Sequence, residues 1–369
     1  MTTLADIFRQ HGSEYLKRYG KHMLPSHRKV IRDVMLCRSQ YLGGHTWYCD
    51  HCKEYHFSYH SCKNRSCPQC QNEKADIWLK MQEKRLLPVE YFMVTFTLPE
   101  GLRHVSRSHQ KVVYNIFFQT SAQALQKVAF DPKYLGGEIG MIGVLQTWTR
   151  TIDYHPHIHY LIPGGAISTD GRKWIAAKKA FLMHYKPLTI IFRAKLKDAL
   201  KKAELLGQVP QKVWKQEWVI DLKPVGDGNA ALKYLVPYIF RIAISNRNIL
   251  CCKSGKVTFK YKDSKTEQFK VMTLPAMEFM CRYLQHVLPR GLQKVRYYGF
   301  LTSKKRKQLD KIKCLLKIKI VKIEKSEKKE FVFNCPKCGQ KMVLIEQSHR
   351  LRGPPIEEIV FHQKWGITL

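Results

Sequence analysis

The sequence predicts an α+β protein, and three observations carry that expectation. Short aromatic and β-branched runs that stop at proline or glycine read as strands, while longer stretches between them repeat their apolar residues at helical spacing. Two of the strand-like runs are joined by only a few polar residues, which makes them antiparallel neighbours. Cysteine pairs spaced Cys-x2-Cys lie before and after this block and mark metal-binding segments.

The chain has 369 residues, 44% of them hydrophobic, enough for two or three domains with a sizeable core. No apolar run approaches the roughly 18 to 20 residues of a membrane span. Met1 to Gln10 includes Asp6 and Arg9 and has no apolar signal region, so a cytoplasmic protein is expected. Lys and Arg number 64 against 29 acidic residues, a formal charge of +35. A compact protein this basic repels itself unless a polyanion offsets the charge, so nucleic acid is the leading partner, ahead of a ribosomal or membrane surface. Twelve cysteines in such a compartment favour metal over disulfides.

Residues 1–45 read as two helices. Ile7, Phe8, Tyr15, Leu16 and Tyr19 form one apolar face, and Val30, Ile31, Val34 and Met35 form the next. Pro25-Ser26-His27 separates them, with Ser26 as the expected N-cap. Two knuckles follow, Cys49-x2-Cys52 and Cys67-x2-Cys70, with fourteen residues between. Each knuckle bends the backbone so that two sulfurs face one ion, so Cys49, Cys52, Cys67 and Cys70 are the simplest four-thiolate zinc site. Cys62 is an alternative ligand, and His51, His56 and His60 lie close by. Lys63 and Arg65 beside the knuckles are candidate phosphate contacts.

A helix over Asn72 to Leu87 closes at Pro88, giving a first domain over 1–90. The second, over 91–289, contains expected strands at Tyr91 to Leu98, Ile139 to Thr149, Pro156 to Ile162 and Trp218 to Leu222. Its expected helices are Val112 to Val128, Phe181 to Leu206, Asn229 to Asn246 and Pro275 to Val287. A basic hairpin is expected from Val257 to Tyr261 and Gln268 to Met272. The third segment, 290–369, is basic, with Lys304, Lys305 and Arg306 as candidate DNA contacts. It ends in a single knuckle, Cys335-Pro336-Lys337-Cys338-Gly339, a candidate second zinc site to which Cys314, His349 or His362 could add ligands. No internal repeat is visible.

The chemistry concentrates on His157-Ile158-His159. In an extended strand side chains alternate, so both imidazoles face one way. If Thr151 to Asp153 form the connecting turn, pairing sets Gln146 opposite His157 or His159 on the same face. Two imidazoles and an amide oxygen leave coordination positions open, which suits Mg²⁺ or Mn²⁺ acting as a Lewis acid. Tyr234 and Tyr238 lie four apart on an expected helix, so both phenols project from one side. Leu235, Ile239 and Ile242 already supply that helix with an apolar stripe, which leaves the tyrosines for chemistry. Pro237 between them removes a hydrogen bond and should kink the helix. A tyrosine can attack a phosphodiester and hold its energy as a phosphotyrosine ester, and two tyrosines permit two transfers.

With these residues in place, the chain resembles the two-tyrosine HUH rolling-circle transposases of the insertion-sequence 91 family. The resemblance runs through the module Ser61 to Gln71 and the strand Thr95-Phe96-Thr97-Leu98-Pro99. It continues through His155 to His159 and the segment Tyr234 to Arg241 leading to Asn246. Val287-Leu288-Pro289, Tyr298-Gly299-Phe300-Leu301 and the terminal Cys-Pro-x-Cys-Gly complete it. It implies an HUH nuclease domain with a central antiparallel sheet flanked by helices. It also implies that His157 and His159 hold the catalytic metal and that Tyr234 and Tyr238 nick one DNA strand, keeping its 5′ end and freeing a 3′ hydroxyl. Arg241 joins the expected DNA contacts. Ser66 stands where relatives often carry histidine, which opens a zinc position to Cys62 or His60.

These readings make the chain an expected DNA transposase of the bacterial nucleoid, acting on single-stranded element ends and target. A plasmid rolling-circle initiator or relaxase shares the chemistry, and a zinc-dependent DNA-binding regulator without catalysis is the rival from another class. No Gly-Lys-Ser/Thr phosphate loop is present, so unwinding is expected to come from a host helicase.

Overall fold

The computed structural model describes residues 2–70, 72–240, 242–263, 266–318 and 332–349, without the side chains of 72–74, 237 and 238. The chain forms two compact units, one from Met1–Asn72, Ile244–Val287 and Ile323–Leu369, the other from Glu73–Ala243 and Leu288–Lys322. Each unit is thus assembled from separate stretches and not from the consecutive segments 1–90, 91–289 and 290–369. Among the described residues every sheet is antiparallel and flanked by helices, the α+β class expected. Among the described residues no helix is long and apolar enough to cross a membrane.

The unit built on Glu73–Ala243 centres on a five-stranded sheet. In order across the sheet its strands are Val295–Tyr298, Met141–Trp148, Tyr154–Pro163, Tyr91–Thr97 and Ile220–Pro224. Alternation gives this sheet two unlike faces. On one, Phe92, Val94, Phe96, Leu145, Ile158, Tyr160 and Ile162 pack against the helices Gln110–Ala129 and Tyr185–Lys202. Phe96 meets Phe192 edge-on at 4.9 Å and Tyr160 at 5.8 Å. Fully burying each such ring stabilises by about 1.5–3 kcal/mol, so this face carries most of the unit's core.

The other face is apolar only at one end. There Met93, Ile142, Val144 and Leu161 pack against Ala231, Leu232, Leu235 and Ile239 of the helix Gly228–Phe240. Asp227 starts that helix by accepting the Ala230 N–H at 2.8 Å, an N-cap contact. The helix continues through Pro237 but stops at Phe240, short of the expected Asn246, and Ala243 has a left-handed φ of 51°. The strand Val295–Tyr298 was missed from sequence because four residues following a basic stretch show no alternation.

In the other unit the helix Leu4–Tyr19 begins with a reciprocal Thr3–Asp6 capping box. The next helix is Pro25–Met35. Ser26 is not its N-cap: Leu24 occupies that position and Pro25 is the first helical residue, where its missing N–H costs nothing. The expected hairpin is present as Lys256–Lys262 paired with Phe269–Pro275, with Ile249–Lys253 added alongside and the helix Ala276–Leu284 after it. A further sheet joins Val343–Ser348, Gly44–Cys49 and Glu54–Tyr59. Its first hairpin takes over the end of the region read as helical.

Candidate metal, nucleophile and zinc sites

The turn between the two central strands sets the geometry of the histidine face. Thr149, Thr151 and Asp153 bond to one another, with Thr149 Oγ1 and Thr151 Oγ1 2.9 Å apart and the Asp153 N–H reaching Thr149 Oγ1 at 3.1 Å. Pairing then places Gln146 opposite His157 and Val144 opposite His159. On the other flank Thr97 lies opposite His157 and Thr95 opposite His159, and Asp221 lies beyond Thr95. The pairing shifts by one residue between Gln146 and Trp148, next to Pro156, which has no N–H to contribute.

Each candidate ligand is held by its neighbours. His157 Nδ1 lies 2.7 Å from the His155 carbonyl. A carbonyl only accepts, so Nδ1 carries the proton and Nε2 keeps a lone pair. His159 Nδ1 meets Thr95 Oγ1 at 3.0 Å, and the two rings stand nearly perpendicular with centroids 4.8 Å apart. Gln146 donates its amide N–H to the Trp148 carbonyl at 3.1 Å, which turns Oε1 away; that oxygen is buried with no hydrogen-bond partner among the described residues. Such a buried oxygen is costly unless a donor or cation faces it. Outer contacts of this kind fix the ring orientation and tautomer of metal ligands.

Burial lowers the pKa of His157 to about 4 and that of His159 to about 3, with the neighbouring histidine and Lys223 adding to the second shift. Both imidazoles are therefore neutral near pH 7 and available as ligands. His155 is also lowered, mainly by burial and then by Arg103, whose Nη2 lies 3.1 Å from its ring. Its carbonyl, not its ring, meets His157. This contact, and those of Thr95 and Trp148, are invisible in sequence because they depend on pairing.

The helix Gly228–Phe240 covers the apolar end of this same face. Tyr234 is 41% exposed, off the buried stripe of Leu235, Ile239 and Ile242, and Lys223 Nζ stands 5.8 Å over its ring. Tyr238 lies on the helix one turn on; its side chain, and Arg241, fall outside the described residues. Lys223, on the strand beside Thr95 and also 4.0 Å from Asp221, is a functional candidate that the sequence reading missed.

The cysteines group differently from expectation. Cys49 and Cys52 do not join Cys67 and Cys70. Instead Cys37, Cys62, Cys67 and Cys70 bring their sulfurs within 4.8 Å of one another, and so do Cys49, Cys52, Cys335 and Cys338. Knuckle spacing says that two sulfurs point one way but not which other pair they meet. In the first group Cys70 lies 3.4 Å from Cys37 and 3.5 Å from Cys62. Sulfurs around a tetrahedral zinc with bonds of about 2.3 Å sit about 3.8 Å apart, so the fit is close. Contacts among the sulfurs, led by Cys37, drive the Cys70 thiol far down and the Cys67 thiol far up. A divalent cation would relieve that competition. Cys37, just past the helix Pro25–Met35, has no knuckle partner in sequence. Ser66 is buried but is not among the four, and its carbonyl accepts from the Tyr283 hydroxyl. Cys314 is exposed on the helix Arg306–Leu315, and His362 lies outside the described residues.

Of the expected DNA contacts, Lys63 is exposed and Arg65 half-buried in one unit. Lys304, Lys305 and Arg306 are exposed at the start of the helix Arg306–Leu315 in the other, with Lys305 paired to Glu138 at 2.5 Å.

Residues 7–98 match the family described as "Transposase zinc-binding domain", and residues 140–308 match the one described as "Putative transposase". The histidines, Gln146, Lys223 and both tyrosines fall inside the second match. The chain is 35% identical to "Putative transposase y4qJ" of Sinorhizobium fredii (strain NBRC 101917 / NGR234), over 95% of this chain and 97% of that one. It is 23% identical to "Transposase for insertion sequence element IS801" of Pseudomonas savastanoi pv. phaseolicola, over 75% and 70%. No solved structure matches. The chain belongs to the insertion-sequence 91 family of transposases.

Proposed function

We propose that this transposase nicks and rejoins single DNA strands at the ends of its own element by a rolling-circle route. The observation that carries the reading is the placement of His157, His159, the buried Gln146 amide and the tyrosine helix on one face of one sheet. Mg²⁺ or Mn²⁺ held by His157, His159 and Gln146 would supply Lewis-acid polarisation of the scissile phosphate. Lys223, near Tyr234 and the histidines, positions the phosphate by its charge.

The phenol oxygen of Tyr234 or Tyr238 attacks phosphorus, the bond to the 3′ oxygen breaks, and that oxygen leaves as a hydroxyl while the 5′ phosphate stays on tyrosine. Because one phosphodiester replaces another, little energy is lost and the 3′ hydroxyl can reverse the step on a new strand. The second tyrosine allows a second transfer before the first is resolved. The formal charge of +35, with Lys63, Arg65, Lys304, Lys305 and Arg306, supplies sequence-independent grip on DNA. Zinc in the cysteine module is structural. A host helicase exposes the single strand.

The test is covalent capture. Full-length protein with Mn²⁺ and a labelled single-stranded element-end oligonucleotide should give an adduct that survives denaturation. The Tyr234→Phe, Tyr238→Phe double variant should give none, and an adduct that persists in it overturns the mechanism.

A further inference from the structure

We infer that the chain carries a second structural zinc site, a tetrathiolate made by Cys49 and Cys52 together with Cys335 and Cys338. Only two of these residues lie within the segment matched as a zinc-binding domain, 7–98, and the other two lie beyond both matched segments.

The four sulfurs lie within 4.8 Å of one another, with Cys49 3.6 Å from Cys338 and Cys335 3.9 Å from Cys52. These separations suit sulfurs sharing a tetrahedral zinc, about 3.8 Å apart, and are far longer than the roughly 2.05 Å of a disulfide.

The two knuckles are built alike. In each, the residue after the second cysteine has a left-handed backbone, Lys53 at φ 57° and Gly339 at φ 77°. In each, that residue donates its N–H to the carbonyl of the first cysteine, both at 2.8 Å. The Cys52 N–H also points at Cys49 Sγ, 3.4 Å away, a contact suited to a sulfur carrying negative charge. Two equivalent turns facing each other with their sulfurs inward make a metal cage, and neither is explained by its local sequence alone.

Packing does not account for the arrangement otherwise. The core here is Trp47, Cys49, Cys335 and Met342, with Phe333 stacked on Trp47 at 5.0 Å. The strand Val343–Ser348, which pairs with Gly44–Cys49, is exposed at every residue. So small a core does not hold a three-stranded sheet by burial, and small sheets of this kind depend on structural metals. The ion joins Cys52 to Cys335, 283 residues away, and so ties a late strand to an early hairpin. This inference does not rest on the proposed strand-transfer chemistry.

Zinc content per chain of the purified full-length protein, measured by elemental mass spectrometry, tests it. The Cys335→Ser, Cys338→Ser variant should lose one equivalent, and Cys49→Ser, Cys52→Ser should lose that same one. The fourfold variant should lose no more than either pair, because the Cys37 group is separate. Zinc unchanged in the Cys335→Ser, Cys338→Ser variant overturns the proposal. If these variants do not fold, alkylation of the wild-type protein gives the answer. Cys335 and Cys338 should resist iodoacetamide until a chelator is added, and equal labelling with and without chelator overturns it.

Discussion

The two faces of the five-stranded sheet are made by the same strands and could hardly differ more. On one, rings from Phe96, Tyr160 and Phe192 fill a closed core. On the other, His157, His159, Gln146 and Thr95 stand where packing would favour aliphatic residues, and the apolar helix covers only the end beyond them. Period-two alternation lets one strand serve both purposes at adjacent positions: Ile158 is core and its two neighbours are the proposed metal ligands. Stability and reactivity are therefore separable by substitution, even one residue apart.

The largest expected separation comes from the His157→Ala, His159→Ala double variant. Nicking should fall several thousandfold, about 5 kcal/mol of transition-state stabilisation, with the melting temperature held or raised. A large drop in melting temperature would show that the histidines are structural. Phe192→Ala probes the other face: it should cost about 3–5 kcal/mol of stability, and the fraction still folded should nick at the normal rate. Gln146→Ala should weaken Mn²⁺ binding about 10- to 100-fold in a titration and leave folding intact, since it removes a buried oxygen that has no hydrogen-bond partner among the described residues.

Acid should also act through the histidine face. Both histidines have pKa values below the ordinary 6.5, near 4 and 3. Between those values and 6.5 the unfolded chain binds more protons than the folded one. Their contribution to stability is thus complete above pH 6.5 and is lost as pH falls through the folded values. By pH 5 the metal-free wild type should lose about 2 kcal/mol per histidine and the double variant should not, so their melting curves should move apart, with wild type falling below the variant. The smallest effect is expected of Lys223→Ala: its half-exposed charge should change nicking by about tenfold or less, with metal affinity intact or slightly raised.

What was legible in the sequence follows the range of the interactions involved. The histidine pair and the Gln146 pairing were readable because alternation and a short turn are local rules. The helix carrying Tyr234 and Tyr238 was readable from its spare apolar stripe, but its end was not, because Ile242 and Ile244 continue an apolar pattern after the helix has stopped. The cysteines failed differently. Spacing defined each knuckle correctly and gave no information on which would meet which, and Cys37 had no motif at all. Val343–Ser348 escaped because a strand exposed on both sides has no alternation to read.

The turn from Thr149 to Asp153 has a consequence beyond its own five residues. Ile152 sits there at φ 63°, a conformation costly for a β-branched side chain, and its side chain is buried. The turn fixes the parity of the strand that follows. One residue added or removed would exchange odd and even positions along Tyr154–Pro163, sending the imidazoles into the aromatic core and Ile158 and Tyr160 out onto the reactive face. A strained connection outside the sheet therefore decides which of its faces carries the proposed metal ligands.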